Sequence, residues 1–192
     1  MRAHALTVTE ALFPSRSLAR EGALVGGFVA LTALLAQVAV PLPFSPVPLT
    51  GQTFAVLLCG AALGRRRGAL AQAAYVGLGG AGLPIFSRGG HGLNVATAGY
   101  LLGFVAAAYL VGWLVERGWD RRPGAAALAM AAGNLVIYAC GLAWLWLCTG
   151  APLGRLLLMG AVPFLPGDAA KIALASALLP GAWALVRHRE RG

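Results

Sequence analysis

Two residues stand where little chemistry is expected. Asp168 and Lys171 both fall in the apolar stretch from about Pro166 to Val186, and Lys171 is the only lysine in the chain. A spacing of three puts them on one face of a helix, close enough to pair. A charge at the centre of a bilayer costs roughly 2.5–3.5 kcal/mol on insertion scales, so two are kept only with a partner or a purpose. A carboxylate accepts from ligand N–H groups and an ammonium donates to a carbonyl or carboxylate, which together make a polar clamp. The simpler alternative has Asp168 in the first turn, favoured by the helix dipole, and Lys171 snorkelling to the surface.

The remaining polar residues carry weaker signals. Gln52, Gln72, Asn94, Tyr75, Tyr100, Asn134 and Tyr138 lie in or near apolar segments. A lone polar side chain there more often bonds a neighbouring helix than a ligand. Arg88 and His91 sit in a glycine-containing stretch and are expected, on surface grounds alone, to be solvated. No Gly-Lys-Ser/Thr run occurs, so the chain is not itself an ATPase, and HExxH and GxSxG are absent. The histidines are His4, His91 and His188, and the cysteines Cys59, Cys140 and Cys148 lack metal-ligand spacing. No catalytic residue, metal or cofactor is expected.

The elements that must position the pair follow from composition. Of 192 residues, 59% are hydrophobic and 11% charged, against about 25% charged in soluble domains. A single membrane domain spanning 1–192 is the expectation. Apolar segments run over about 22–40, 47–64, 68–83, 97–115, 124–148 and 166–186, each approaching the ~20 residues that span a bilayer. The first run is too long for a signal-peptide core, and no cleavable leader is expected.

Charge sets the orientation. Arg2, Arg16, Arg20, Arg65, Arg66, Arg67, Arg117, Arg121, Arg122, Arg187, Arg189 and Arg191 form four clusters between or beyond these segments. With both ends cytoplasmic, all four clusters fall inside, and only Arg88 and Arg155 fall outside. The formal charge of +9 is thereby explained without a nucleic-acid partner. An all-α integral membrane fold of six transmembrane helices, with cytoplasmic N and C termini, is expected. The last helix then runs inward, and Lys171 lies only ~8 Å below its outer end.

The outer linkers differ from the inner ones. Pro41 to Thr53 carries four prolines in its first eight residues, which forbid regular helix. Leu83 to Tyr100 contains Gly89, Gly90 and Gly92, and Gly150 to Pro166 contains the apolar stretch Leu156 to Met159, a candidate interfacial or re-entrant piece. Long loops on one face suggest a lid over an outward-facing site. The first helix carries Ala23, Gly26, Gly27, Ala30 and Ala33, several of them on one face that permits close helix approach.

Four runs, in order along nearly the whole chain, carry a family resemblance: PVPLTGQT (Pro46–Thr53), GLPIFSRGGHG (Gly82–Gly92), AGYLLGF (Ala98–Phe104) and FLPGDAAK (Phe164–Lys171). The sequence resembles the BioY family, the biotin-specific S components, or substrate-binding subunits, of energy-coupling factor (ECF) transporters. The resemblance implies a six-helix S-component fold with biotin bound near the outer face under the loops. It implies that Asp168 and Lys171 hold the biotin head group. It also implies apolar neighbours such as Phe86 or Tyr100, a polar side chain in the glycine loop that maps to His91, and Gln52 within the proline–glutamine motif. Some members carry an arginine where this chain has Leu101, and Arg88 is the candidate replacement for meeting the biotin carboxylate. The implied partners are biotin, membrane lipids, an ECF coupling transmembrane protein and two ATPase subunits, at a bacterial cell membrane, with no nucleic acid. The rival expectations are an S component for another vitamin, an intramembrane enzyme using Lys171, and an assembly subunit with no ligand.

Overall fold

The structure is a computed structural model and describes residues 6–12, 17–93 and 96–189. Arg2, His4, Arg16, Asn94 and Arg191 lie outside the described residues.

Among the described residues, eight α-helices follow one another: α1 (Val8–Leu12), α2 (Leu18–Gln37), α3 (Gln52–Leu63), α4 (Arg65–Gly80), α5 (Ala98–Val115), α6 (Pro123–Thr149), α7 (Leu153–Gly160) and α8 (Leu165–Arg189). Stretches Leu18–Gln37, Ala98–Val115, Pro123–Thr149 and Leu153–Ala184 are long and apolar enough to cross a membrane, and Gln52–Leu63 is a shorter apolar helix. This pattern is that of a multi-pass membrane protein.

Several helix boundaries differ from the expectation, and three of these shifts have a local reason. Residues 38–40 leave the helix to form β1 (Ala39–Val40), which pairs antiparallel with β2 (Leu49–Thr50), Ala39 opposite Thr50. The proline-rich run is therefore closed as a loop with its ends pinned together. Residues 47–51 lie in that hairpin, so the second helix begins only at Gln52 and is 12 residues long. The third begins at Arg65 because the single residue Gly64, at φ 79°, suffices to reverse the chain after α3.

The core is built on α5, which packs most extensively on α6 and also on α3 and α4. Val56, Leu57, Tyr75, Val111, Val115, Met130 and Ile137 are buried at its centre. Small residues set the spacing: a Cβ on Gly60 would stand 2.5 Å from the Ala108 carbonyl oxygen, and one on Gly112 would stand 2.3 Å from Arg65 N. By contrast, α2 lies at the margin. Only Thr32 and Ala36 of it are buried, and Thr32 receives a hydrogen bond from Gln72 of α4 at 3.2 Å.

At the arginine-rich end, α1 and the helix ends are tied by ions. Arg67 reaches Glu10 of α1 at 2.8 Å and Glu21 of α2 at 3.3 Å. Glu116, just past α5, accepts from Arg65 N at 2.9 Å and lies 3.2 Å from its Nε. Asp120, in the link between α5 and α6, is fully buried and accepts from the Trp183 indole of α8, and its burial pushes the carboxyl pKa upward.

Gly60→Ala is expected to lower stability by about 1–3 kcal/mol, as overpacking does. Gly77→Ala, in α4 with nothing within 4 Å of the added carbon, should be neutral or stabilise by up to about 1 kcal/mol. Thermal melting in detergent distinguishes the two.

Candidate ligand-binding site

The charged pair is brought together at the N-terminal end of α8. Asp168 stands in the first turn of that helix, 4% exposed, and its Oδ1 lies 2.8 Å from Lys171 Nζ. The snorkelling alternative does not hold, because the ammonium turns inward. Its three hydrogens go to Asp168 Oδ1, to the Thr50 carbonyl oxygen at 2.7 Å and to Thr53 Oγ1 at 2.9 Å.

The carboxylate is equally well served. Thr53 Oγ1 donates to Oδ1 at 3.1 Å, Asn134 Nδ2 donates to Oδ2 at 2.9 Å, and the Tyr138 hydroxyl donates to the same oxygen. Asn134 and Tyr138 are four apart on α6, one turn, so both reach one point on α8. The ion pair thus joins α8, α6, the start of α3 and the end of β2. Asn134 Oδ1 is buried with no hydrogen-bond partner in the structure.

Asp168 and Lys171 form part of the wall of a narrow, partly open cavity. Most of its lining is apolar, including Leu101, Phe104, Ile137 and Phe164. Polar residues among the lining include Gln52, Thr53, Ser87, Thr97, Tyr138, Asp168 and Lys171.

The proline and glycine loops form its roof, and polar contacts hold them. Gln52 Nε2 donates to the Tyr75 hydroxyl, 2.6 Å away, which donates to the Ile85 carbonyl oxygen at 3.0 Å. Gln37, the last residue of α2, donates to the Phe86 carbonyl oxygen at 3.1 Å and accepts from Gly89 N at 3.1 Å. Phe86 seats its ring over Gly79, where any Cβ would stand 2.2 Å from a ring carbon. The proline loop is held from the other side, Ser45 Oγ donating to the Met159 carbonyl oxygen of α7.

The expected site residues therefore divide. Asp168, Lys171, Gln52, Phe86 and Tyr100 line the cavity. Gln52 and Tyr100 direct their polar groups to the protein, however, with the Tyr100 hydroxyl donating to the Gly160 carbonyl oxygen at 2.8 Å. Arg88 and His91 do not line it. They border an adjoining outer cavity, which shares Pro48, Phe86, Ser87 and Thr97 with the first. Arg88 is held at φ 59°, the only positive φ outside glycine among the described residues.

Thr53 and Gln37 are not singled out by the sequence. A threonine in the first turn of an apolar helix looks like any other helix start, and Gln37 looks like an exposed helix end. Asn134 and Tyr138 have the interhelical role expected of them, but their target is the site carboxylate itself.

Comparisons with known proteins agree with this architecture. The structure superposes on a crystal structure at 2.1 Å of the S-component for biotin from an ECF-type ABC transporter, with a TM-score of 0.75 and 21% identity, covering 93% of this chain and 96% of that one. The fold is thus that of an S component, a membrane subunit with its cavity at one end of a helix bundle. A model of the BioY family matches residues 5–188. The biotin transporter BioY of Rhodobacter capsulatus is 40% identical over 168 residues, 80% of this chain and 87% of that protein. A probable biotin transporter BioY of Lysinibacillus sphaericus is 36% identical, covering 81% and 82%, and the Thermotoga maritima biotin transporter BioY 37%, covering 79% and 88%. The chain belongs to the BioY family.

Removing the hydroxyl in Tyr138→Phe deletes one donor to a charged acceptor, worth about 1.5–3 kcal/mol. The loss in melting stability should shrink in an Asp168→Asn background, where the acceptor is no longer charged. Equal losses in both backgrounds would remove Tyr138 from the support of the carboxylate.

Proposed function

We propose that this chain is the biotin-binding membrane subunit of an ECF-type vitamin transporter and serves biotin uptake. The observation that carries the reading is the Asp168–Lys171 pair, set into the wall of an otherwise mainly apolar cavity. A ureido ring offers two N–H donors and one carbonyl acceptor, and a carboxylate beside an ammonium is complementary to both. The bicyclic body suits Phe104, Ile137 and Phe164.

The carboxylate end of biotin requires a cation or strong donors. Leu101, at the position where some relatives carry arginine, is 4% exposed and offers neither. The adjoining cavity brings Arg88 and His91 to the far side of the shared wall. Ser87 lies on that wall, its hydroxyl buried and without a hydrogen-bond partner in the structure. We assign the carboxylate to this outer cavity, with Arg88 as its principal cation.

Six helices then cross the bacterial cell membrane: α2, α3, α4, α5, α6 and α8. Both termini are cytoplasmic, so the arginine-rich end faces inward, as positive-charge bias requires. Biotin is captured from outside, enclosed by the two outer loops and released inward. The exposed small residues of α2, Gly22, Ala23, Gly26, Gly27 and Ala30, are the docking face for a coupling transmembrane protein driven by two ATPase subunits. Small residues let helix backbones approach closely in a bilayer. The chain performs no chemical step. An S component for a different vitamin is the second reading, because the clamp alone would accept other cyclic amides.

Calorimetry of the purified protein with biotin, thiamin and riboflavin tests the assignment, and only biotin should bind tightly. Asp168→Asn and Lys171→Ala should each weaken biotin binding by about tenfold or more while the protein remains inserted. Wild-type affinity in both variants would rule out the clamp. Arg88→Ala should weaken biotin more than biotin amide, and equal losses would remove Arg88 from the carboxylate.

A further inference from the structure

Among the neighbours of the ion pair, one side chain touches both ions. Thr53 Oγ1 accepts from Lys171 Nζ at 2.9 Å and donates to Asp168 Oδ1 at 3.1 Å. Asn134 and Tyr138 bond only the carboxylate, and the Thr50 carbonyl oxygen only the ammonium. Thr53 belongs to α3, so its two bonds cross 115 residues to Asp168 and 118 to Lys171. It also lines the cavity beside them.

The chemistry of these neighbours differs in kind. An amide N–H only donates and a carbonyl oxygen only accepts. A hydroxyl does both, and its hydrogen swings about the C–O bond at little cost. Three internal donors already crowd Asp168 Oδ1 and its partner oxygen, with the ammonium as the fourth. A ligand N–H arriving at the carboxylate must take the place of one of them. Displacing Lys171 would separate the ions, and displacing Asn134 or Tyr138 would leave a buried donor without an acceptor. Thr53 lines the cavity, so its hydrogen can swing to an acceptor there while its oxygen still accepts from Lys171.

We propose that Thr53 is a positioning residue of the ligand site. Its hydroxyl holds Lys171 and Asp168 in register with α3 and yields the place on Asp168 Oδ1 that a ligand N–H occupies. This role rests on the biotin reading above, and acts through the two ions rather than on the ligand directly. Its signature is dependence on the hydroxyl, not on side-chain volume.

The test is biotin titration by calorimetry of wild type, Thr53→Val and Thr53→Ser, each first shown to be monodisperse in detergent with an unchanged helical spectrum. Valine keeps the shape and removes the hydroxyl; serine keeps the hydroxyl and removes a methyl. Valine should weaken binding by about tenfold or more, the size expected for a bond to a charged group. Serine should restore most of that loss, to within about threefold of wild type, a methyl contact being worth less than a charged hydrogen bond. Wild-type affinity in Thr53→Val, or equal weakening by serine and valine, would overturn the positioning role while leaving the biotin assignment intact. Failure of the wild-type protein to bind biotin would overturn both. If valine destabilises the fold, a Thr53→Ala and Thr53→Ser pair gives the same contrast, and serine no better than alanine would refute the role.

Discussion

A carboxylate and an ammonium in apolar surroundings tolerate no unfilled valence. Each ion gives up hydration worth several kcal/mol, and their mutual attraction offsets this only when the remaining lone pairs and hydrogens are also bonded. Asp168 and Lys171 meet that condition by drawing partners from three other elements: Asn134 and Tyr138 from α6, Thr53 from α3 and the Thr50 carbonyl oxygen from β2. The arrangement of the outer half of the bundle follows from this requirement. Helix α3 must start where Thr53 can reach, which fixes the hairpin of β1 and β2. The proline loop between those strands is then delivered over the cavity.

The same requirement governs the roof. Loop backbone near a membrane surface must find partners for its N–H and C=O groups, and here side chains supply them. Gln37 closes two groups of the glycine loop, and Tyr75 a third. Close packing below the roof relies on missing side chains. Gly79 admits the Phe86 ring, and Gly60 admits the backbone of α5. Aromatic and polar anchors can therefore be set at fixed depth by helices that are themselves almost featureless in sequence.

Much of this is legible in the amino-acid sequence. The charged pair stands out because hydrocarbon makes its cost visible in composition alone. The proline and glycine loops announce themselves as irregular. The length of the second helix is not legible, because residues 47–51 are apolar enough to read as a continuation. Nor does the sequence reveal which polar residues serve the pair. Thr53, Asn134 and Tyr138 come from segments far apart in the chain, and each taken alone is an ordinary helix residue. Arg88 and His91 group with the clamp when motifs are read along one line, whereas the fold puts Phe86 and Ser87 on the wall between them and the ion pair.

The three bonds of Lys171 have a consequence for selectivity. The Thr50 carbonyl oxygen and the Thr53 hydroxyl already occupy hydrogens that an incoming carbonyl would need. The lysine is thus satisfied from within the protein, and a carbonyl brought to it would have to displace one of these acceptors. Occupancy is an exchange between two satisfied arrangements, so a molecule gains only from what it replaces in full. One that opens these contacts but lacks a matching acceptor or donor strands a buried polar group, at about 1–3 kcal/mol each. Discrimination at the pair would therefore rest on how completely a molecule replaces the two threonine contacts of the lysine.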